Sequence, residues 1–438
     1  MGNRAWKYGL VASILAGALW AAGCSSIAEG KAQPKAFNSK VAFDVYAVIG
    51  DGHERVGRTP SAQALRIPAC RWWFVEPLDP VDMKKVRQEI EAQGVAGLKM
   101  NFAADADLAY LKGLRDVQWL EVQGQEGAPT VTDAGMANLE GLSGLQCLDL
   151  LRTKVSDVGL KHLTGLIALQ ELNLSYTGVT NAGLQHLKSL TALQNLNLFE
   201  TKVRDAGLER LKGLTALQEL NLCGTNITGS GLEHLKGLTA MQKLHVSGSK
   251  VGDAGLAHLK GLTKLRILGF SRTRVTDAGL VHLEGMRALE DLSLSNTGIT
   301  DEGLQHLEGL AGLRALGLDD TKVTDAGLQH LQGLTALKAL SLERTGVTGA
   351  GFEHLKGLSN LQYLDLVGAR VTDAGLEHIK GLTGLQGLFL RGTKVTDAGL
   401  VHLKGLTALH ELDLRETKVT NGGVEQLKKS LPKVIVTR

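Results

Sequence analysis

Histidine has the most regular spacing of any chemically active residue in this 438-residue chain. Ten of its thirteen histidines recur at multiples of 24 residues, and Arg210 and Gln426 hold the same place in two other copies. Such a column could suggest a metal site or a proton ladder, because imidazole binds metals and titrates near neutral pH. The column consists of His162, His186, His234, His258, His282, His306, His330, His354, His378 and His402.

One histidine per repeat does not give the convergence that a metal needs. Zinc takes several ligands at once, with nitrogens at about 2.1 Å, whereas neighbouring helices lie roughly 8–10 Å apart. We therefore interpret each histidine as a helix-surface residue that bonds to a neighbouring coil or to solvent. We expect neither a metal nor any other cofactor.

An aspartate column repeats with the same period, usually directly after a threonine. Calcium sites gather several oxygens in one loop, but this column offers one carboxylate per repeat. Because each aspartate stands where a short helix begins, helix capping is the simpler explanation. The column consists of Asp157, Asp205, Asp253, Asp277, Asp301, Asp325, Asp373 and Asp397.

No sequence motif for catalysis is present. The chain has no Gly-x-Ser-x-Gly, P-loop or His-Glu-x-x-His pattern, and its four cysteines form no Cys-x-x-Cys pair. An enzyme using residues 25–94 remains a remote alternative, because that segment is too short for most enzymes. We predict no catalytic residues and no small-molecule substrate.

The elements that carry these columns follow from one repeated pattern. In its cleanest copy, Leu289-x-x-Leu292-x-Leu294 predicts a short strand, and apolar residues at three-residue spacing from Leu304 to Leu310 predict a short helix. A threonine follows each strand, and we expect it to bond to backbone groups there. Twelve copies start at Leu145, Leu169, Leu193, Leu217, Met241, Leu265, Leu289, Leu313, Leu337, Leu361, Leu385 and Leu409.

Two looser copies start at Val95 and Val117, which gives about fourteen repeats over residues 95–431. The copy at Val117 carries about four extra residues around Gln123–Thr130. One repeat cannot bury its own leucines, so successive coils must stack and share a core. Residues 432–438 then read as a final cap strand at Val434–Val436.

This pattern, with Val/Ile-Thr-Asp-Ala-Gly-Leu in its second half, resembles the leucine-rich repeat family in a bacterial form. The resemblance implies an α/β horseshoe-shaped solenoid with a parallel sheet on the concave face and short helices on the convex face. It also implies binding of a protein on the concave face. The repeats further resemble those of F-box substrate receptors, but no F-box-like helical segment precedes them, so an adaptor role is remote.

The first 23 residues resemble a bacterial lipoprotein signal peptide. Arg4 and Lys7 precede an apolar run, which ends Ala21-Ala22-Gly23 before Cys24. The resemblance implies cleavage before Cys24 and lipidation of its sulfur, although Ala21 stands where leucine is usual. An ordinary secretory signal or an uncleaved anchor is the alternative. We expect an exported cell-envelope lipoprotein, and the residue after Cys24 is compatible with the outer membrane.

Between the signal and the repeats, residues 24–40 read as a flexible tether and residues 41–94 as a small capping segment. Val41–Ile49 alternates like a strand, and Arg71–Phe74 is expected to pack on the first coil. A helix is predicted from a cap at Asp79, with Pro80 in its first turn, to Gly94. Met83, Val86 and Ile90 form its apolar face, and its expected role is to cover the open end of the repeats.

Function should lie where the repeats vary. The third, fifth, seventh and eighth positions of Leu-x-x-Leu-x-Leu-x-x-Thr should face the concave side, where tyrosine and arginine favour protein binding. The larger or charged residues there are Tyr176, Phe199, Glu200, His245, Arg272, Asp319, Asp320, Glu343, Arg344, Tyr363, Phe389, Arg391, Arg415 and Glu416. The alternative is that these are ordinary solvated positions.

The charge balance sets the expected partners. With 48 basic and 45 acidic residues the formal charge is +3, which gives no electrostatic case for nucleic acid. We expect a non-enzymatic protein–protein interaction scaffold, held at the membrane by a lipid on Cys24. A structural spacer or a self-associating envelope protein is the alternative.

Labelled palmitate tests the anchor. We expect the wild-type chain to incorporate the label in a bacterial host and the Cys24→Ala variant to lose it, because only a sulfur at this position can be lipidated. Equal labelling of the two chains would contradict the lipoprotein reading.

Overall fold

The computed structural model describes residues 35–49, 52–68, 70, 72–78, 82–101, 103–124 and 130–438. Within them the chain forms two compact units, an N-terminal unit that ends at Asn226 and a C-terminal unit that spans Ile227–Arg438. The signal peptide, Cys24 and most of the insertion at Gln123–Thr130 lie outside the described residues. No helix among those described is long and apolar enough to span a bilayer.

The C-terminal unit is a parallel sheet with one strand per repeat. Neighbouring strands pair in a 24-residue register, so that Leu292 lies beside Leu316 and Leu316 beside Leu340. These leucines are almost fully buried, because each lies under the equivalent leucine of the next coil. The strands are β12 (Lys243–His245), β13 (Ile267–Gly269), β14 (Asp291–Ser293), β15 (Ala315–Gly317), β16 (Ala339–Ser341), β17 (Tyr363–Asp365), β18 (Gly387–Phe389), β19 (Glu411–Asp413) and β20 (Ile435–Thr437).

The N-terminal unit continues the same rule but begins differently. Its strands are β1 (Lys35–Phe37), β2 (Phe43–Ile49), β3 (Gly52–Thr59), β4 (Leu65–Ile67), β5 (Trp72–Pro77), β6 (Gly97–Asn101), β7 (Trp119–Gln123), β8 (Cys147–Asp149), β9 (Glu171–Asn173), β10 (Asn195–Asn197) and β11 (Glu219–Asn221). Strands β5 to β11 are parallel, whereas β2 runs antiparallel to both β3 and β5. Among the described strands, β1 pairs with β4 alone.

Short helices return the chain from one strand to the next. The α-helices are α1 (Met83–Gln93), α2 (Asp105–Leu108), α3 (Asp133–Met136), α4 (Asp157–Leu160), α5 (Asp205–Leu208), α6 (Gly229–Leu232), α7 (Asp253–Ala257), α8 (Asp277–Leu280), α9 (Asp301–Leu304), α10 (Asp373–Glu377) and α11 (Asn421–Ser430). The 3₁₀ segments are 109–111, 137–139, 161–163, 183–187, 209–211, 233–235, 281–283, 305–307, 325–331, 350–355 and 399–403. This mixture fits the predicted three-residue leucine spacing.

The threonine after each strand bonds to the backbone, as predicted. In Thr321 and in Thr345 the hydroxyl donates to the carbonyl of the leucine three residues earlier, at 2.6 and 2.7 Å. The same bond forms at Thr153, Thr177, Thr201, Thr225, Thr273, Thr297, Thr393 and Thr417. It satisfies a carbonyl that has left the strand ladder.

The aspartate column joins coils to one another, so the prediction that it caps helices was wrong. Asp301 accepts a hydrogen bond from the backbone N–H of Thr324 at 2.7 Å and another from its hydroxyl at 2.6 Å. The cap is the threonine, whose hydroxyl accepts from the residue two positions on, as Thr324 does from Ala326. The inter-coil pair recurs at Asp157–Thr180, Asp253–Thr276, Asp277–Thr300, Asp325–Thr348, Asp373–Thr396 and Asp397–Thr420.

Helix α1 differs from the prediction at its start. It is capped by Asp82, which accepts from the Lys84 N–H, rather than by Asp79, because the helix begins only at Met83. It ends at Gly94, whose φ of +59° suits glycine, and its apolar face is the predicted one. The helix connects the parallel strands β5 and β6 and contacts the 3₁₀ segment 109–111 of the first repeat, while the antiparallel hairpin β2–β3 extends the sheet beyond β5.

Three other terminal predictions are refined. Residues 24–40 were predicted to be a flexible tether, but Lys35–Phe37 forms strand β1, which pairs with β4, and Phe37 is buried. Phe74 in β5 packs on Trp119 in the second coil, with ring centroids 4.4 Å apart. The final strand is Ile435–Thr437, one residue later than predicted, and it pairs parallel with β19.

Replacing Asp325 tests the inter-coil bonds. Its carboxylate accepts from the N–H groups of Thr348, Gly349 and Gly351 and from the Thr348 hydroxyl. We expect Asp325→Ala to lower the free energy of unfolding by about 2 kcal/mol, because these donors lose their acceptor. Guanidinium unfolding of the full chain measures it.

The chain offers a matched control for this substitution. Asn181 holds the same place in its coil but, among the described residues, accepts only from the Arg204 N–H, at 2.7 Å, so Asn181→Ala should cost less. Burial raises the pKa of Asp325, but the bonds from Thr348 and Gly351 outweigh it and hold the pKa below its ordinary value. The stabilisation should therefore be present above the ordinary aspartate pKa and disappear as the pH falls below it. Equal costs for both variants would contradict this role.

Candidate ligand-binding faces

Each sheet presents one face away from its leucine core, made by the third and fifth side chains of each repeat. We call this the sheet face. Its side chains stand beside their equivalents on neighbouring strands, and many are buried by that lateral packing. Ser293 and Ser341 are nearly inaccessible, and so is Asn173. The sheet face is therefore less open than the repeat pattern suggested.

Several fifth-position side chains hold the turn that follows their strand. Asp149 accepts from the Leu151 N–H at 2.8 Å, and Asn173 accepts from the Ser175 N–H at 3.0 Å. Asp365 and Asp413 likewise accept from the backbone N–H of the residue two positions later in the chain. This structural duty removes part of the predicted face from ligand recognition.

The eighth position has a property that the sequence did not reveal. In all twelve regular repeats its backbone is left-handed, with φ between +53° and +71°. Four of these residues are glycines, and the other eight carry side chains. The eight are Arg152, Tyr176, Glu200, Arg272, Asn296, Asp320, Arg344 and Glu416. We call these twelve positions the left-handed column.

The predicted pair Tyr176 and Phe199 does come together. Their ring centroids lie 4.9 Å apart, edge to face, and the Arg152 guanidinium lies 4.9 Å from the Tyr176 ring. Tyr176 remains 42% exposed, which makes it one of the few large apolar side chains that solvent reaches. Glu200 follows in the next coil, also left-handed. Three coils thus place two aromatic rings and a guanidinium at one edge of the N-terminal sheet.

The predicted charged residues of the C-terminal unit mostly bind one another. Arg344 donates to both carboxylate oxygens of Asp320 and also pairs with Glu343. Asp319 is buried and accepts from the hydroxyls of Ser295 and Ser341. Burial raises the pKa of Asp319, against these hydrogen bonds. Asp319 is thus a structural acceptor, whereas the Asp320–Arg344 pair is exposed to a partner.

Tyr363 and Phe389 lie where the sheet face has small neighbours. Tyr363 packs against the buried Ala315 and Ala339, and a Cβ added at Gly387 would lie 2.7 Å from its ring. Phe389 is 7% exposed, so most of its ring is already covered. Within the predicted cluster, the Tyr363 ring is therefore more accessible to a ligand than the Phe389 ring.

The remaining predicted residues lie at the rim. Arg391 pairs with Glu416 at 2.5 Å, and Arg415 pairs with Asp413 at 2.5 Å. Arg272 is exposed and left-handed. His245 is half-buried at the fifth position of its repeat.

Sequence reasoning missed a cluster at the start of the N-terminal sheet. Tyr46, Phe74 and Trp119 stack in series, with centroids 4.9 and 4.4 Å apart. Gly97 makes the stack possible, because a Cβ there would lie 2.7 Å from the Phe74 Cβ. The available signals were the aromatic residues of the run Arg71–Phe74, which was expected to pack on the first coil, and the glycine at the third position of the first repeat.

Charged groups follow this stack along the fifth position. Lys99 binds Glu121 at 2.9 Å, and Asp149 stands beside Glu121 on the next strand. Burial alone would lower the pKa of Lys99, but Glu121 outweighs it and raises the pKa above its ordinary value. Burial, and then the charge of Glu121, raise the pKa of Asp149 to about 7. Two acids share one cation here.

Three histidines of the column bond between coils, as predicted. His162 lies 2.5 Å from the Glu140 carboxylate, and His306 lies 2.6 Å from that of Glu284. In each pair the glutamate comes from the preceding coil. Over the described residues, no three His, Cys, Asp or Glu side chains are placed to hold one metal ion.

Comparison with known proteins identifies this architecture. A family model described as leucine-rich repeat matches residues 168–188, 286–307 and 357–379. An internalin from Listeria monocytogenes superposes with a TM-score of 0.61 at 23% identity, covering 81% of this chain and 92% of that chain. The chain is a leucine-rich repeat protein. Its predicted α/β solenoid, with a parallel sheet and short helices, is confirmed.

Two further solved structures share the fold of this leucine-rich repeat protein. A leucine-rich repeat protein of Leptospira interrogans gives a TM-score of 0.61 at 19% identity, over 82% of this chain and 93% of that one. The mouse RP105/MD-1 complex gives 0.56 at 19% identity, over 78% of this chain and 63% of that one. No curated protein sequence matches the chain. At these identities the likeness concerns the fold alone.

Asp149→Asn tests the charged cluster. Asn173 holds the same position in the next coil and makes the same turn bond, so asparagine should fit at 149. Because the folded-state pKa of Asp149 is raised, its charge destabilises the fold as the pH rises from about 4 to about 7. We expect Asp149→Asn to raise the free energy of unfolding by about 2 kcal/mol at pH 8 and to have no effect at pH 4.

The converse substitution is the control for that measurement. Asn173→Asp adds a carboxyl beside Asp149, so it should lower the unfolding midpoint at pH 8 more than at pH 4. A gain from Asp149→Asn that is independent of pH would show that charge is not its cause.

Proposed function

We propose that this leucine-rich repeat protein is a non-enzymatic scaffold of the cell envelope that binds a protein ligand. The ligand contacts the sheet face and the left-handed column. A lipid on Cys24 would hold the scaffold at the membrane, and the charge balance gives no reason to add nucleic acid as a partner.

The left-handed column carries the proposal. A residue with a Cβ costs about 1–2 kcal/mol in this conformation relative to the right-handed one, and glycine avoids the cost. Eight of twelve repeats nevertheless place side chains there, among them Tyr176, Arg272 and Arg344. Some of these side chains also bond between coils, as Arg344 does with Asp320, but exposed ion pairs contribute only about 0–1 kcal/mol and do not offset this cost. Recognition is therefore the better reason for side chains in the left-handed column.

The side-chain types at the column suit a protein partner. Tyrosine and arginine dominate the binding energy of protein interfaces, since they combine apolar area with hydrogen bonding. The Arg152–Tyr176–Phe199 cluster and the half-buried Tyr363 ring supply both. Among the fold neighbours, RP105 is paired with MD-1 in its solved structure.

Tyr176→Gly separates binding from folding. It removes the exposed ring and relieves the left-handed backbone, so the melting temperature should stay level or rise while binding is lost. We expect capture of the partner from envelope extract by the full chain to fall at least about tenfold, equivalent to about 1.4 kcal/mol. Quantitative crosslinking with mass spectrometry measures capture.

A matched control changes the same backbone without removing a large side chain. Asn296→Gly relieves the same strain at an equivalent position but removes only a short side chain, so capture should fall much less than in Tyr176→Gly. A Tyr176→Gly chain that melts lower and still captures the same partner would contradict the proposal. Concentration-dependent oligomers with no captured partner would favour the self-associating alternative.

A further inference from the structure

The histidine column provides its own example of carboxylate binding. In His162, His306 and His330 the Nδ1 atom lies 2.5 to 2.6 Å from a glutamate carboxylate of the preceding coil. A carboxylate only accepts hydrogen bonds, so the imidazole Nδ1 carries the proton in these pairs. Each pair closes the gap between two neighbouring helical segments.

The same gap is left open at His186. The place of Glu140 is held in the repeats through Lys404 by glutamate three times, lysine seven times and glutamine once, and Thr164 is its one short member. The Thr164 hydroxyl donates to the Lys161 carbonyl at 3.0 Å, within its own coil. Within the part of the chain that the structure describes, no side chain is bonded to Nδ1 of His186.

The orientation of His186 matches that of a carboxylate-bound histidine. Its Nε2 lies 3.4 Å from Nε2 of Gln185. The corresponding distance from His330 to Gln329 is 3.5 Å, and Nδ1 of His330 binds Glu308. Because the two imidazoles are held alike, Nδ1 of His186 faces the space that a glutamate fills elsewhere.

That space is a cleft of about 400 Å³, lined by Thr164, Gln185, His186, Lys188 and Ser189. A second departure from the repeat lies in it: Ser189 replaces the glycine found at this place in the other regular repeats through Gly405. Its hydroxyl donates to the Thr164 carbonyl at 2.8 Å and so joins the two coils across the cleft. Thr164, Ser189 and the exposed Lys188 therefore line the same cleft as His186.

We propose that this cleft binds the carboxylate of a small organic acid. The carboxylate takes the place that a glutamate holds beside His162, His306 and His330. It accepts the Nδ1–H of His186 and lies near the Lys188 ammonium. The cleft volume falls in the usual range for small-molecule sites. The binding is non-covalent, and the site lies on the helical side of the N-terminal unit, away from the sheet face.

Succinate is the test ligand, observed through the imidazole Cε1–H resonances of the full chain labelled in its histidines. We expect the His186 resonance, assigned with His186→Gln, to shift saturably with a dissociation constant on the order of 1 mM. Thr164→Glu should abolish the shift by filling the cleft with the chain's own carboxylate. Lys188→Ala should weaken binding, whereas Lys356→Ala, in the same column of another repeat, should not.

Glu140→Thr supplies the converse test. It opens the equivalent gap at His162, so the His162 resonance should begin to respond to succinate. A blocked peptide rich in aspartate, titrated in parallel, distinguishes a free acid from an acidic protein segment as the source of the carboxylate. A His186 resonance that ignores succinate at tens of millimolar, or that responds equally in folded Thr164→Glu, would overturn the proposal.

Discussion

A single coil of this protein cannot bury its own leucines, and the rest of the structure depends on that constraint. Each coil consists of one strand and one short helix, and their leucines form a core only when the next coil lies in the same register. Three sets of contacts fix the register. Leucines pack on leucines in the core, strands pair as at Leu292 and Leu316, and Asp301 bonds to Thr324 at the start of the helices.

This constraint divides the repeat into positions that hold the coils together and positions that are free to vary. Core leucines, the post-strand threonines and the aspartates make the same contacts in coil after coil. Departures from the pattern therefore have local consequences that can be read directly. Thr164 leaves a cleft at the position where Glu284 bridges two coils, and Gly97 leaves room for Phe74 to stack on Trp119. In a repeat protein the other copies serve as internal references for each such departure.

The sequence predicted the fold well, because the spacing of the periodic leucines and threonines is enough to identify their roles. It predicted the binding residues less well. Spacing does not reveal that Arg344 is bonded to Asp320 and Glu343, that Asp319 is a buried acceptor, or that the eighth position is left-handed. The aspartate column was misassigned because a carboxylate at a helix start can cap its own helix or reach the next coil, and only coordinates distinguish the two. The start of helix α1 failed for a similar reason, since Asp79 and Asp82 are both suitable caps.

Residue-resolved hydrogen exchange tests most directly whether stacking in register holds the structure together. The backbone N–H of Leu294 donates to Gly317, that of Leu318 to Ser341, and that of Lys322 to Ile299, each a bond between neighbouring coils. These amides should exchange only through unfolding of the coils on both sides, and their protection should fall together with denaturant. Exchange at the rate of solvent-exposed amides, or protection that differs coil by coil without any shared dependence on denaturant, would contradict the account.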